Sequence, residues 1–355
     1  MNPFHNARVG LALGNGSARG WAHIGVIRAL EEAGVRPDIV CGTSIGALVG
    51  AAYAAGELDH LEQWVLRLAV KDFVGFMDVS LSGGLFKGER LMDFFRQRFV
   101  DRPIEQLDMP FGAVATALHT GAEIWLRNGS TLDAVRASIA LPGLLAPVLS
   151  DGMILVDGGL VNPVPVSLAR AMGADILIAV DLGSDILGRH LRADSPHQSP
   201  SAVVGAWLHK LQESLGAPTR EHPSDDPTMP NIFEVLASSL NIMQVRIARG
   251  RMAGEPPDLI VAPRLAHLRL LDFHRAQEAI QEGRRAVERI GQTLSLFQQL
   301  GKVSTSELAA KAEVSRSNEY SSPSRIREDT SGTRKPKNGS MTAQHTNTQS
   351  KEIEL

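Results

Sequence analysis

The sequence predicts an α/β protein of three layers, helix on sheet on helix, built around a mainly parallel central sheet. Three observations carry that expectation. A short apolar run, 9–13, ends in a glycine-rich loop and is followed by a helical pattern. A second stretch, 38–56, brings β-branched Ile39 and Val40 into a Gly42-Thr43-Ser44-Ile45-Gly46 turn that opens into a helix of small residues. A third strand pattern, 175–180, whose apolar run follows Asp175, comes after a helix that Gly173 is placed to stop. Unbroken apolar runs of this length are what strands covered on both faces require.

Taken in order, the first strand runs straight into Gly14-Asn15-Gly16-Ser17-Ala18-Arg19-Gly20. Residues 21–33 then show helical periodicity at Ile24, Ile27 and Leu30, with Gly34 positioned to end the helix. Pro37 restarts the chain as the second strand, which ends at the turn carrying Ser44. In a parallel sheet both loops fall at the C-terminal ends of their strands, where sites form in such folds. An amphipathic helix is expected over 58–70, a flexible connection over 82–88 and a further helix over 89–99. That last helix sets Leu91, Phe94, Phe95 and Phe99 on one side and Arg90, Arg96 and Arg98 elsewhere. It reads as a core-facing helix, and the same pattern could also touch lipid head groups while inserting its aromatics.

Strands are expected over 109–118 and 123–127, joined by a turn at 119–122. Ser130 is a helix cap with Asp133 at the third helical position, starting a helix through Ile139. Residues 141–147 form an apolar loop bracketed by prolines, which is unusual because loops are normally polar surface, and such a loop suits the wall of a greasy cleft. A strand over 153–156 leads to Asp157-Gly158-Gly159, and a helix to Met172 follows Pro163 and Pro165. From 185 to 230 the chain turns rich in Pro, Ser, His and Asp, as an irregular insertion or lid would. Regular structure resumes with a helix over 232–249, a strand over 259–262 and a closing helix from 272 to about 297. Residues 302–355, poor in apolar side chains, read as a disordered tail, which leaves one domain over 1–301.

Composition removes several function classes. The 355 residues are 43% hydrophobic, enough for a full core, and a net charge of -3 offers no electrostatic footprint for nucleic acid. A single cysteine, Cys41, permits no internal disulfide and no thiolate zinc site, and no H-E-x-x-H is present, so no metal is expected. The apolar run at 9–13 is too short for a signal-peptide core, so the expectation is a cytoplasmic protein, peripheral to a membrane at most.

The chemistry lies in three loops that point to one edge of the expected sheet. Gly42-Thr43-Ser44-Ile45-Gly46 is a G-x-S-x-G elbow, in which a serine sits on a sharp strand-to-helix turn with its hydroxyl exposed. On its own this pattern fits a packing turn as well as a nucleophile. Acyl transfer needs a nucleophile, a base within hydrogen-bond reach and donors aimed at the oxyanion. The loops at 14–20, 42–46 and 157–159 could supply one each.

These segments, with A-S-I-A-L-P-G-L-L-A-P-V at 137–148 and D-G-G-L-V-N-P-V-P at 157–165, resemble the patatin-like phospholipases, most of all their compact bacterial branch. The motifs stand in the same chain order, and the resemblance covers 8–298. It implies a patatin-like fold and a serine–aspartate dyad without histidine: Ser44 as nucleophile, Asp157 as base, and the backbone of Gly14, Asn15, Gly16, Ser17 and Arg19 as oxyanion hole. Gly42, Gly46, Gly158 and Gly159 would support the motifs. The implied reaction is hydrolysis of phospholipid, lysophospholipid or related lipid esters through an acyl-enzyme, and it calls for no cofactor. One departure stands out: Asn15 and Ser17 occupy places where the family usually has glycine. A serine held at positive φ costs roughly 1 to 2 kcal/mol, and a misaimed oxyanion donor about 2.7 to 4 kcal/mol of barrier. A negative φ at Ser17 would remove the objection.

Three rivals compete. A dinucleotide enzyme needs an acidic residue at the end of the second strand, where this chain has Cys41-Gly42-Thr43-Ser44. An α/β-hydrolase triad would call on His267 or His274, yet its elbow follows several strands and here only one precedes it. His23 reads as a structural helix residue. The remaining alternative is a non-catalytic scaffold or regulator that keeps the fold.

Overall fold

The computed structural model describes residues 7–69, 84–98, 101–185 and 232–296. Most of the expected insertion and all of the expected tail lie outside them. Among the described residues the centre is an eight-stranded sheet. Its strands are β1 (Val9–Leu13), β2 (Ile39–Thr43), β4 (Phe111–Ala117), β5 (Glu123–Leu126), β7 (Val148–Ser150), β8 (Met153–Asp157), β9 (Ile176–Val180) and β10 (Leu259–Val261). Two short strands, β3 (Gly84–Phe86) and β6 (Gly143–Leu145), pair separately. They correct two expectations, because the connection at 82–88 and the apolar loop at 141–147 each contain a strand.

The order is β10-β9-β1-β2-β4-β8-β7, with β5 also on β4. From β10 to β4 every pairing is parallel, and those of β5, β7 and β8 are antiparallel. Helices cover both faces. On one lie α1 (Ala22–Glu32), α2 (Ile45–Ala54), α3 (Leu58–Arg67), α4 (Glu89–Arg98), α5 (Thr131–Ser138) and α8 (Ala276–Arg289). The other carries α6 (Val166–Ala171) and α7 (Ile232–Gly254). Strand alternation divides the core accordingly. Val9, Leu11 and Leu13 of β1 join the first cluster, while Ala12 joins Ile39 and Cys41 in the second. Cys41 is buried in its strand as expected, and that burial pushes its thiol pKa upward.

Local signals hold in most places. Ser130 accepts the Asp133 N–H at 3.0 Å and so caps α5. Gly34 ends α1 at φ 80°, the left-handed conformation that glycine adopts without a Cβ penalty. Other boundaries move. The chain already turns as a 3-10 helix over Ser17–Trp21 before α1, so the glycine loop is tighter than its spelling suggests. α7 runs on to Gly254, and a 3-10 turn over Phe273–Arg275 precedes α8. α1 and α8 cross with almost no separation. A Cβ on Gly25 would stand 1.9 Å from the Ile280 carbonyl oxygen, and one on Gly283 would stand 2.1 Å from that of Ala22.

The aromatics of α4 face inward. Phe95 is buried, Phe94 is half-buried, and both rings pack on Trp64 of α3 at 5.4 and 5.1 Å between centroids. Packing of this kind favours the core-facing reading of α4. Phe99 lies outside the described residues.

The pairing around β4 positions the site. Val114 pairs with Thr43 of β2 and Trp125 of β5; the next residue, Ala115, pairs with Asp157 of β8 and Ile124 of β5. β5 therefore takes one edge of β4, and β2 and β8 share the other. Running in opposite directions, β2 and β8 end nose to nose. The last residue of β8 is Asp157, and the residue after β2 is Ser44.

Candidate active site

Ser44 has φ 57° and ψ −126°, a conformation that costs a non-glycine residue about 1–3 kcal/mol and persists only where its surroundings enforce it. The elbow enforces it by close approach. A Cβ on Gly42 would lie 2.3 Å from the Gly46 carbonyl oxygen, and one on Gly46 would lie 2.2 Å from that of Leu13. Only glycine at both places lets the strand turn this sharply into α2. The helix N-terminus then lies directly behind the serine and favours negative charge there.

The Ser44 hydroxyl donates to Asp157 Oδ2 at 2.5 Å, and the two residues are 9% and 1% exposed. The other carboxylate oxygen, Oδ1, accepts the Gly159 N–H at 2.7 Å. Burial raises the Asp157 pKa to about 6, against the opposing hydrogen bonds from Ser44 and Gly159. A carboxylate with that affinity for protons is a competent base near neutral pH, because it is ionised there and still accepts a proton readily.

The surrounding bonds explain why these atoms meet. The Thr43 hydroxyl donates to the Asn162 carbonyl at 2.8 Å, and the Thr116 hydroxyl donates to the Asp157 carbonyl at 2.8 Å. The Asn162 side chain donates to Glu123 Oε1 at 2.7 Å and Ser167 Oγ at 3.0 Å, and Arg251 of α7 closes on Glu123 Oε2 at 2.6 Å. The loop that follows Asp157 is thereby tied to β5, α6 and α7. Gln244 of α7 also reaches this corner. Its Nε2 and the Asn15 Nδ2 would stand 2.9 and 2.8 Å from a Cβ placed on Gly159.

In the glycine loop, three of the residues expected as oxyanion donors have committed their N–H groups. Gly14 donates to the Val180 carbonyl at 3.1 Å, and Asn15 donates to that of Pro163 at 2.9 Å. The Arg19 N–H closes the 3-10 turn on Gly16 at 3.2 Å, and the Arg19 side chain, buried, donates through Nε to the Leu268 carbonyl at 3.0 Å. The N–H groups of Gly16 and Ser17 make no such bond among the described residues. Ser17 stands at φ 49°, so the strain foreseen from a serine in a glycine place is present.

His23 is fully buried, and its Nε2 bonds the Gly14 carbonyl at 2.7 Å. Burial lowers its pKa to about 4, so the ring is neutral at physiological pH and Nε2 carries the proton that it donates. This is the structural role expected of it. His267 pairs with Glu278 in an exposed bridge, and His274 sits in the 3-10 turn before α8; the group hydrogen-bonded to Ser44 is a carboxylate. Among the described residues no group of His, Cys, Asp and Glu could hold a metal.

The sequence pattern of the family described as patatin-like phospholipase matches residues 11–170. An uncharacterized NTE family protein of Mycobacterium tuberculosis (strain ATCC 25618 / H37Rv) is 34% identical over 327 residues, covering 78% of this chain and 89% of that protein. The chain belongs to the patatin-like phospholipase family. Larger relatives share only this part. Patatin-like phospholipase domain-containing protein 6 of Homo sapiens is 39% identical over 183 residues, 50% of this chain and 13% of that protein. Lysophospholipase NTE1 of Pyricularia oryzae is 32% identical over 292 residues, 78% of this chain and 18% of that protein. Membership supports lipid hydrolysis as the general activity, and the patatin-like fold agrees with the sheet and its flanking helices. Among the described residues no helix is long and apolar enough to cross a membrane.

Sequence reasoning did not assign roles to Thr43, Thr116, Ser138, Asn162 or Gln244. Ser138 and Asn162 lie inside the A-S-I-A-L-P-G and D-G-G-L-V-N-P segments that carried the family resemblance. Gln244 had no signal, because only the packing of α7 brings it to the site.

Proposed function

We propose that this protein is a serine acyl hydrolase acting on lipid esters, phospholipid or lysophospholipid, through a Ser44–Asp157 dyad. The observation that carries the reading is the buried 2.5 Å hydrogen bond from the Ser44 hydroxyl to an Asp157 carboxylate whose pKa is raised to about 6. Ser44 Oγ attacks the ester carbonyl carbon as Asp157 takes its proton. Collapse of the tetrahedral species breaks the bond to the alcohol, and Asp157 returns the proton to the departing oxygen. Water, deprotonated by Asp157, then attacks the acyl-enzyme, and the proton passes back to Ser44 Oγ as the fatty acid leaves. The oxyanion donors in this scheme are the N–H groups of Gly16 and Ser17, since those of Gly14, Asn15 and Arg19 are committed.

An apolar cavity of about 40 Å³ supports a lipid substrate. It is lined by Leu48, one helical turn along α2 from Ser44, by Ala51 and Ala52 of the same helix, and by Leu132 and Val135 of α5. Part of an acyl chain would lie there, while contact with the lipid surface that presents the substrate would be transient. The test is labelling by a fluorophosphonate probe, with hydrolysis of lysophospholipid measured alongside. Wild type should label and hydrolyse, and Ser44→Ala should do neither. Labelling that persists in Ser44→Ala would falsify the nucleophile assignment.

A further inference from the structure

Ser138 ends α5 and is completely buried. Its hydroxyl donates to the Val114 carbonyl at 2.6 Å, which uses its only proton, and it accepts the Ser44 N–H at 2.9 Å. The direction of both bonds is therefore fixed. Two residues further on, the Ala140 carbonyl accepts the Asp157 N–H at 2.9 Å. One short segment thus grips the backbone of both members of the dyad, on the two strands that end nose to nose on β4. β2 and β8 occupy successive positions on one edge of β4, which brings their ends close, but they do not pair with each other, so no ladder bond joins the two ends directly.

We propose that Ser138 is a positioning residue for the dyad: its hydroxyl and the Ala140 carbonyl hold Ser44 and Asp157 to one rigid segment and so fix the gap between nucleophile and base. The inference rests on the Ser44–Asp157 reading above. It accounts for how Ser44 keeps a positive φ, because an amide in that conformation needs a buried acceptor and Ser138 provides it. Loss of the hydroxyl would leave the amide unpaired, and the elbow would turn to find another partner, taking the Ser44 hydroxyl away from Asp157. Asp157 would then lose a bond that favours its charged form, with burial left to raise its proton affinity further.

The experiment compares wild type, Ser138→Ala and Ser138→Thr by two readouts. The first is the rate of fluorophosphonate labelling against pH. The second is the titration of the Asp157 carboxyl followed by carbon-13 NMR, with its resonance assigned through Asp157→Asn; it needs no turnover. Ser138→Ala should label about 10²-fold more slowly. Its Asp157 midpoint should move about one pH unit alkaline, and Ser138→Thr, which keeps the hydroxyl, should restore both properties toward wild type. An Asp157 midpoint that stays in place in Ser138→Ala, whatever happens to melting temperature or rate, overturns the proposal and leaves Ser138 a packing residue. Should wild type fail to label, the hydrolase reading falls, and the carboxyl titration still decides whether Ser138 sets the dyad.

Discussion

Two loops at the C-terminal ends of neighbouring strands each hold a serine in a left-handed backbone conformation, Ser44 at φ 57° and Ser17 at φ 49°. Their surroundings differ. Ser44 is enclosed: its hydroxyl bonds Asp157, its N–H bonds Ser138, and Thr43 before it bonds Asn162. Ser17 makes no side-chain bond among the described residues. Strain that several independent bonds impose is retained because the arrangement needs it, while strain that nothing imposes is a cost that glycine would remove.

The largest break in this comparison is at the dyad. Ser44→Gly relieves the backbone strain and should nonetheless abolish fluorophosphonate labelling and ester hydrolysis, whereas Ser17→Gly should keep both. Asp157→Ala should lower the labelling rate on the order of 10³-fold or more, as removal of a base paired to a nucleophile does.

Next in size are the effects of pH, where the buried titratable groups bonded to the two loops, Asp157 on Ser44 and His23 on Gly14, oppose each other. The folded state raises the Asp157 pKa to about 6 from 3.8, so the native protein binds more protons there and stability falls as pH rises across that window. The folded state lowers the His23 pKa to about 4 from 6.5, so the native protein binds fewer protons there and stability rises from pH 4 to 6.5. Each contribution amounts to about 3 kcal/mol, and over pH 4 to 6 they nearly cancel. Asp157→Asn should therefore be more stable than wild type near pH 7.5, and its stability should climb with pH over 4 to 6.5. His23→Leu should show the reverse slope, and denaturant unfolding at a series of pH values reads both. Labelling by wild type should rise through about pH 6 as Asp157 ionises, with no separate step from His23.

The smallest expected effect is at Ser17. Ser17→Gly removes a left-handed serine and should stabilise the protein by roughly 1 kcal/mol, visible as a small rise in melting temperature. If its N–H is an oxyanion donor, kcat should be equal to that of wild type or somewhat higher. A large loss of kcat in this variant would show that the serine side chain acts in the loop.

The elbow itself was readable, since G-x-S-x-G dictates a local turn and its glycines act on carbonyls one turn away or on the adjacent strand. The partner of Ser44 was readable as well, although only through the motifs that surround Asp157, and the structure places its carboxylate on the Ser44 hydroxyl. The tripeptide Asp157-Gly158-Gly159 by itself describes an ordinary turn. The 3-10 turn over Ser17–Trp21 was hidden because Gly16-Ser17 spells a loop, while packing against Leu268, Leu270 and Phe273 winds it.

By itself the sequence determined the succession of strands, loops and helices, the buried character of β1, β2 and β9, and the residue types placed at the strand ends. Those are local properties, set by apolar runs, helix stops and turn residues within a few positions of one another. The tertiary structure alone decided that β2 and β8 meet head-on along β4, which brings together Ser44 and Asp157 from 113 positions apart and Ser138 from 94. It also decided that the N–H groups of Gly14 and Asn15 are committed, because their partners, Val180 and Pro163, come from a distant part of the chain. No spacing rule encodes contacts of that kind; they exist only once the sheet has chosen its order.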